Sequence, residues 1–439
     1  MKPVEFVLVG AGSRGAHAYA PYAVNNPNDA RIVAVAEPDP VRRAAIAEAH
    51  DIADEYCFTS YEALFAKGQL AEAAIITTQD AMHVEPTLLA LAQGYHVLLE
   101  KPMAPDPLEC TRLTLAAEKA GRHLVIGHVL RYTDFFSTIH DLLQAGKIGD
   151  IVTVAHRENV AHWHMAHSFV RGSWRSKAES TPMILAKCCH DLDIMVWNLG
   201  RECTRISSVG NLNFYQKKNA PAGSTSRCLD GCAVEATCPW SAKRIYLDLE
   251  PWPEAAKVTQ QTGEAPNVWP FNVLSNDRSY AGRVAALQDS PYGRCVFHCD
   301  NDVVDHQIVT MEFAGGISAS LTMHGLSNDE DRSMRYDGTT GTLHGYFNAQ
   351  GGRIEIKPHR GTPEVYEVDG RSGHGGGDTG IMQSFIAAVR GTAAPKSSAR
   401  ESLESHLLAF AAEEARLAHN VIEMADYKAA LRAQADQLA

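Results

Sequence analysis

Apolar and polar positions divide the chain into two textures. Up to about residue 130, short apolar runs alternate with segments of helical period. Residues 4–9 are mostly apolar and end at glycines, as a strand buried on both faces does. Residues 14–24 have helical character and stop at Asn25-Asn26-Pro27-Asn28-Asp29, a cluster of breakers. Strand patterns recur at 32–36, 74–77, 96–99 and 123–126, with helical ones at 41–49, 84–93 and 107–120. This alternation predicts a parallel sheet with helices on both faces. Beyond 130 the pattern changes. Residues 151–158 and 205–214 read as strands, and 182–199 as one helix between them. Stretches 303–325, 334–346 and 352–358, punctuated by Ala314-Gly315-Gly316 and Thr340-Gly341, predict an antiparallel meander. Helical periodicity returns at 381–389 and 402–420, whereas 219–302 is poor in period and reads as an insertion or long functional loop.

The fold class expected is therefore α/β, an N-terminal Rossmann domain over 1–130 followed by a second domain over 131–439. Gly10-Ala11-Gly12-Ser13-Arg14-Gly15 fits the G-x-G-x-x-G pattern between that first strand and helix, and Glu37 ends the next strand. Gly10 permits a tight turn, Gly12 lets backbone approach a pyrophosphate, and Gly15 lets the helix close on the strand. Glu37 suits a ribose diol and repels a 2′-phosphate, which favours NAD over NADP, with Arg42 and Arg43 nearby as a counterweight.

Composition narrows the partners. The 439 residues carry 40 Lys plus Arg against 52 Asp plus Glu, a formal charge of −12, which argues against a nucleic-acid binder. No apolar run approaches the length of a membrane helix, and no signal peptide is evident, so a cytoplasmic protein is expected. Ten cysteines in so long a chain are not a disulfide framework. Cys228, Cys232 and Cys238, with Cys295 to close the set, come near structural-zinc spacings, and a structural zinc there would order the insertion; reduced, unliganded thiols are the alternative.

From Glu100-Lys101-Pro102 onward the sequence resembles the glucose–fructose oxidoreductase, inositol dehydrogenase and rhizopine-catabolism (Gfo/Idh/MocA) family. The resemblance runs through the glycine loop, Glu37, residues 77–83, 94–102 and 127–132, His190-Asp191-Leu192-Asp193 and Gly338 to Leu343. It implies a C-terminal α/β domain with a large open, mostly antiparallel sheet, a dimer or tetramer, and a small carbohydrate-like substrate. It places Lys101 beside the nicotinamide and makes His190 the acid/base. An imidazole suits proton exchange near neutral pH, and a lysine at a strand's C-terminal end would stabilise an alkoxide. The cofactor contacts assigned on these motifs are Gly10, Gly12, Ser13, Arg14, Gly15, Glu37, Thr78, His83, Glu100, Lys101 and Arg131.

The family places an acid one turn before the histidine, where this chain has Ala186. Lys187, His190 and Asp193 are then expected along one helix face, with Lys187 and Asp193 acting on His190 from either side. Substrate contacts are expected at His162 and His164, on one strand face, and at Arg175, His306 and His374. The function expected is NAD-dependent oxidation of a secondary hydroxyl of a sugar, sugar derivative or inositol. The alternatives are an NAD-dependent glycoside-cleaving enzyme working by transient oxidation and elimination, and a non-catalytic NAD or sugar sensor.

Overall fold

Residues 2–370 and 372–438 are described from a computed structural model. Six strands form a parallel sheet: β1 (Val4–Val9), β2 (Ala30–Ala36), β3 (Cys57–Phe58), β4 (Ala73–Ile76), β5 (His96–Leu99) and β6 (Leu124–Ile126). Their order, β3-β2-β1-β4-β5-β6, is that of a Rossmann sheet. β1 and β4 are buried along nearly their whole length, as strands covered on both faces must be. The covering helices carry their own start and stop signals. Asp39 and Asp106 cap Pro40–His50 and Pro107–Ala120 by accepting from two amides each, both with Pro in the first turn.

The second sheet has nine strands: β7 (Ile151–Ala161), β8 (Cys203–Asn211), β9 (His306–Phe313), β10 (Ile317–Ser327), β11 (Asp331–Gly338), β12 (Gly341–Asn348), β13 (Gly351–Pro358), β14 (Glu364–Asp369) and β15 (Val421–Glu423). They lie in the order β14-β13-β12-β11-β7-β10-β9-β8-β15, and neighbouring strands are antiparallel except β7 with β10. β9 alternates buried and exposed residues, so one face of the sheet makes core and the other does not. The insertion lies between β8 and β9. It folds as short helices around Ile245, Tyr246, Leu247, Leu274 and Leu287, which form a small core of their own.

Two contacts weld the layers. The 20-residue helix Ala399–Ala418, opened by a Ser398/Glu401 capping box, presents His406 Nε2 to the Met103 amide at 3.0 Å. Arg131, just after β6, pairs with Asp193 of the helix Cys189–Leu199 through two bonds of 2.7 Å. Both side chains are almost wholly buried, and burial outweighs Arg131 in holding the Asp193 carboxyl above its ordinary value. Such a pair costs desolvation, and removing one partner strands the other. Arg131→Met should therefore destabilise the protein by about 3–5 kcal/mol, with Arg131→Met/Asp193→Leu recovering most of it in denaturant unfolding. A double variant no more stable than the single one would contradict this.

Candidate active site

The glycine loop meets its geometric demands. Gly10 has φ +89°, and a Cβ there would stand 2.8 Å from Thr77 O; at Gly15 it would stand 2.2 Å from Gly10 O. At Gly12 nothing lies within 4 Å, which leaves the open backbone a pyrophosphate needs. Glu37 is buried at the end of β2, where its carboxylate accepts from Ala11 N at 2.6 Å and Asp39 N at 3.0 Å. Arg42 approaches it only to 4.0 Å. An open glycine turn beside a fixed acid fits a dinucleotide.

Lys101 follows β5. Its ammonium donates to Ala186 O at 3.1 Å. That carbonyl is available because 182–199 is not one helix: Met183–Ala186 and Cys189–Leu199 are separate, and Lys187 and Cys188 form the break. His190 lies in the first turn of the second helix, buried, with Nδ1 free of any protein partner. Burial first, then Lys101, His128, Arg332 and His374, hold its pKa well below the usual imidazole value. His190 is thus a neutral ring at pH 7. His128 packs edge-on to it at 5.7 Å and His374 at 6.5 Å between ring centroids.

Arg14 leaves the glycine loop toward this end of the cleft. It bonds Glu100 Oε1 at 2.5 Å, Tyr19 OH at 3.0 Å and Asp378 Oδ1 at 2.8 Å. Burial raises the Glu100 carboxyl, but Arg14 and Lys101 bring it below its ordinary value, so it is an anion bracketed by two cations. His374 Nδ1 completes the cluster, 3.2 Å from Asp378 Oδ2.

Several expected contacts are engaged elsewhere. Asp193 faces Arg131 rather than His190, so it cannot raise or orient that imidazole, and Arg131 is spent on Asp193 and Lys396 O. Lys187 leaves the line expected of it because the helix breaks there, and its ammonium binds Glu158 at 3.0 Å and Glu330 at 2.7 Å. His83 is a brace, with Nδ1 2.7 Å from Pro102 O and Nε2 3.2 Å from Thr78 O, while Thr78 Oγ1 donates to Met82 O. His162 and His164 form a helical turn after β7 instead of sharing a strand face. Their Nδ1 atoms lie 3.3 Å from Ser327 O and 2.8 Å from Glu330 Oε1. Arg175 pairs with Asp300 and Glu179, and His306 with Asp305. Among the described residues no group of three or more His, Cys, Asp or Glu stands formed as a metal-ion ligand set, so the structural zinc is not displayed as such.

What the sequence did not single out is a buried chain of charges flanking His190. His156 Nε2 is 2.8 Å from Asp191 Oδ1, which Arg332 also reaches at 2.9 Å; Arg332 meets Glu158 at 2.8 Å, and Glu158 meets Lys187. The chain ends at Glu330 and His164. These residues are scattered over β7, β11 and the loop before it, so only the fold assembles them. The signal available was His190-Asp191 together with Lys187 next to the alanine that stands where an acid is usual.

Residues 4–128 match the model of the Gfo/Idh/MocA oxidoreductase family's NAD-binding Rossmann fold, and 136–247 match the Gfo/Idh/MocA C-terminal domain. An inositol 2-dehydrogenase of Saccharopolyspora erythraea is 30% identical over 220 residues, covering 50% of this chain and 60% of the relative. A 2,7-anhydro-N-acetylneuraminate hydratase of Mediterraneibacter gnavus is 27% identical over 210 residues, covering 48% and 53%. The chain thus spans little more than half the length of these two relatives. The structure of the WlbA dehydrogenase of Chromobacterium violaceum, in complex with NADH and UDP-GlcNAcA, superposes with TM-score 0.63 at 16% identity, over 96% of each chain.

The charge chain has a measurable signature. Burial first raises the Glu158 carboxyl, to about 7, against the pull of Arg332 and Lys187. In the unfolded chain the same group loses its proton near pH about 4.3. Between these values the folded state binds more proton, so this group's contribution to stability is full at low pH and falls as pH rises toward 7. Glu158→Gln should remove that component from the slope of unfolding free energy against pH between about 5 and 7. An unchanged slope would contradict the assignment.

Proposed function

The chain belongs to the Gfo/Idh/MocA oxidoreductase family, and from that premise we propose that it oxidises a secondary hydroxyl of a sugar, sugar derivative or inositol, with NAD as hydride acceptor. The observation that carries this reading is the ammonium of Lys101 anchored beside an uncharged, unpartnered His190 at the C-terminal end of the Rossmann strands. The glycine loop and Glu37 would hold the dinucleotide, which supplies the hydride-accepting ring when bound. His190, neutral before the reaction, takes the hydroxyl proton on a free ring nitrogen. Lys101 holds negative charge on the oxygen as it develops, and its charge beside the new imidazolium favours release of that proton to solvent. Glu100, locked to Arg14, fixes the backbone from which Lys101 projects by accepting from the Lys101 amide at 2.7 Å.

A second reading has its own support. A relative named as a hydratase, together with Ala186 where the family has an acid, suits a redox-neutral cycle. In it, transient oxidation acidifies a neighbouring C–H, elimination and water addition follow, and the hydride returns. The site residues act alike in both readings; the balance sheet of NADH separates them.

Lys101→Met and His190→Ala should each lower kcat by about 10²–10⁴-fold while leaving NAD binding within about threefold. On a panel of sugars and inositols, the wild type should form one NADH per substrate consumed. Turnover without net NADH would transfer the assignment to the second reading, and full activity in both variants would overturn the placement of the site.

A further inference from the structure

The insertion contains a second cluster of reactive groups, remote in sequence from Lys101 and His190 and unused by the chemistry above. Cys228, Cys232, Cys238 and Cys295 all line one cavity of about 10 Å³, closed by Trp240, Val296 and Phe297. Two chain segments meet to make it. Cys228 N donates to Gly293 O at 3.0 Å and Cys295 N to Ser226 O at 2.9 Å, so the antiparallel bridge between Arg227 and Arg294 puts these two cysteines at diagonal positions on one face. The turn containing Cys232 and Cys238 closes over them, and Val234 O accepts from the Cys238 amide at 3.0 Å. All ten cysteines of the chain are free thiols.

Two donors are directed at the Cys228 sulfur. Cys228 Sγ accepts from Ala242 N, the first amide of the helix Ala242–Tyr246, at 3.3 Å, and from Arg171 Nη2 at 3.8 Å. Neutral thiols are weak acceptors, whereas thiolates draw such donors. Arg171 is fully buried and, among the described residues, forms no ion pair with a carboxylate. Its guanidinium donates to Arg294 O at 2.7 Å and Trp240 O at 2.6 Å, and Nη1 has no acceptor. The groups around it able to carry negative charge are Cys228, Tyr246, Cys299 and Cys295. A buried cation without an anion is costly, and uncharged thiols do not relieve the cost.

We propose that Cys228, Cys232, Cys238 and Cys295 bind one thiophilic divalent cation, zinc, as a structural tetrathiolate centre whose excess negative charge is partly offset by Arg171. Four thiols release four protons to the buffer and the ion joins four thiolates, giving a centre of charge −2 beside one guanidinium. The cavity has room for about one water-sized sphere, which suits a single ion. The centre would hold the insertion against the turn that carries the substrate-side histidines, because Arg171 ends the helical segment Met165–Arg171 and His167 within it lies 2.7 Å from Tyr246 OH.

The test is metal content of the full-length protein purified anaerobically without chelator, read by mass spectrometry and by mercurial release into a chromogenic chelator. About one equivalent of zinc per chain is expected, falling at least tenfold in Cys238→Ser/Cys295→Ser and unchanged in Cys57→Ser. Arg171→Gln should keep the ligands yet release zinc to a competing chelator at least tenfold more readily. Less than about 0.1 equivalent of zinc in the wild type, or iron and sulfide in its place, would overturn the proposal.

Discussion

A lysine ammonium set against a buried, uncharged imidazole is the constraint around which this molecule is arranged. His190 is denied its proton by burial and by Lys101, and Lys101 is fixed through the Ala186 carbonyl. That carbonyl is free only because the helix breaks at Lys187 and Cys188, so an irregularity in the second layer completes the anchoring of a side chain from the first. On the cofactor side Glu100 answers the lysine's charge and is itself neutralised by Arg14 from the glycine loop. Cofactor loop, lysine and histidine are therefore one electrostatic unit.

The second layer contributes more than a cover. Asp193 and Arg131 tie the histidine helix to the end of β6, and Trp174 Nε1 and Ser180 Oγ both donate to Asp80, beyond β4. These cross-layer contacts are buried or half-buried and polar, so they specify one relative placement of the two sheets where apolar packing would tolerate several. Behind His190, the chain from Asp191 through Arg332, Glu158, Lys187 and Glu330 balances its charges almost completely. Lys187, next to the Ala186 that stands where the family has an acid, is thus absorbed by this chain.

The residues legible in the sequence were those whose role is local. The glycine loop, Glu37 and the strand–helix alternation follow from spacing, because backbone sterics and burial act over a few residues. Lys101 and His190 were legible through motif resemblance, which assigned each a place. Asp193, Arg131, His83 and Arg175 show their protein partners only in the fold, because a polar residue in a motif can serve a ligand, the fold or both, and spacing does not say which. Beyond its opening Pro182, the stretch 182–199 carries no proline or glycine to mark its interruption, and Lys187 moved out of register with His190 there. The charge chain was illegible because Glu158, Glu330 and Arg332 are separated by up to 174 positions and meet only when β7 and β11 pair.

The central claim, that Lys101 and burial hold His190 neutral, is tested most directly by the imidazole itself. Isotope-labelled histidine, with the His190 resonance assigned by its loss in His190→Ala, can be titrated in the protein and in Lys101→Met. The account predicts that His190 in the wild type protonates only well below the ordinary imidazole value, with a midpoint displaced upward when the lysine charge is removed. A wild-type His190 that titrates at or above about 6.5, or one indifferent to Lys101, would contradict it.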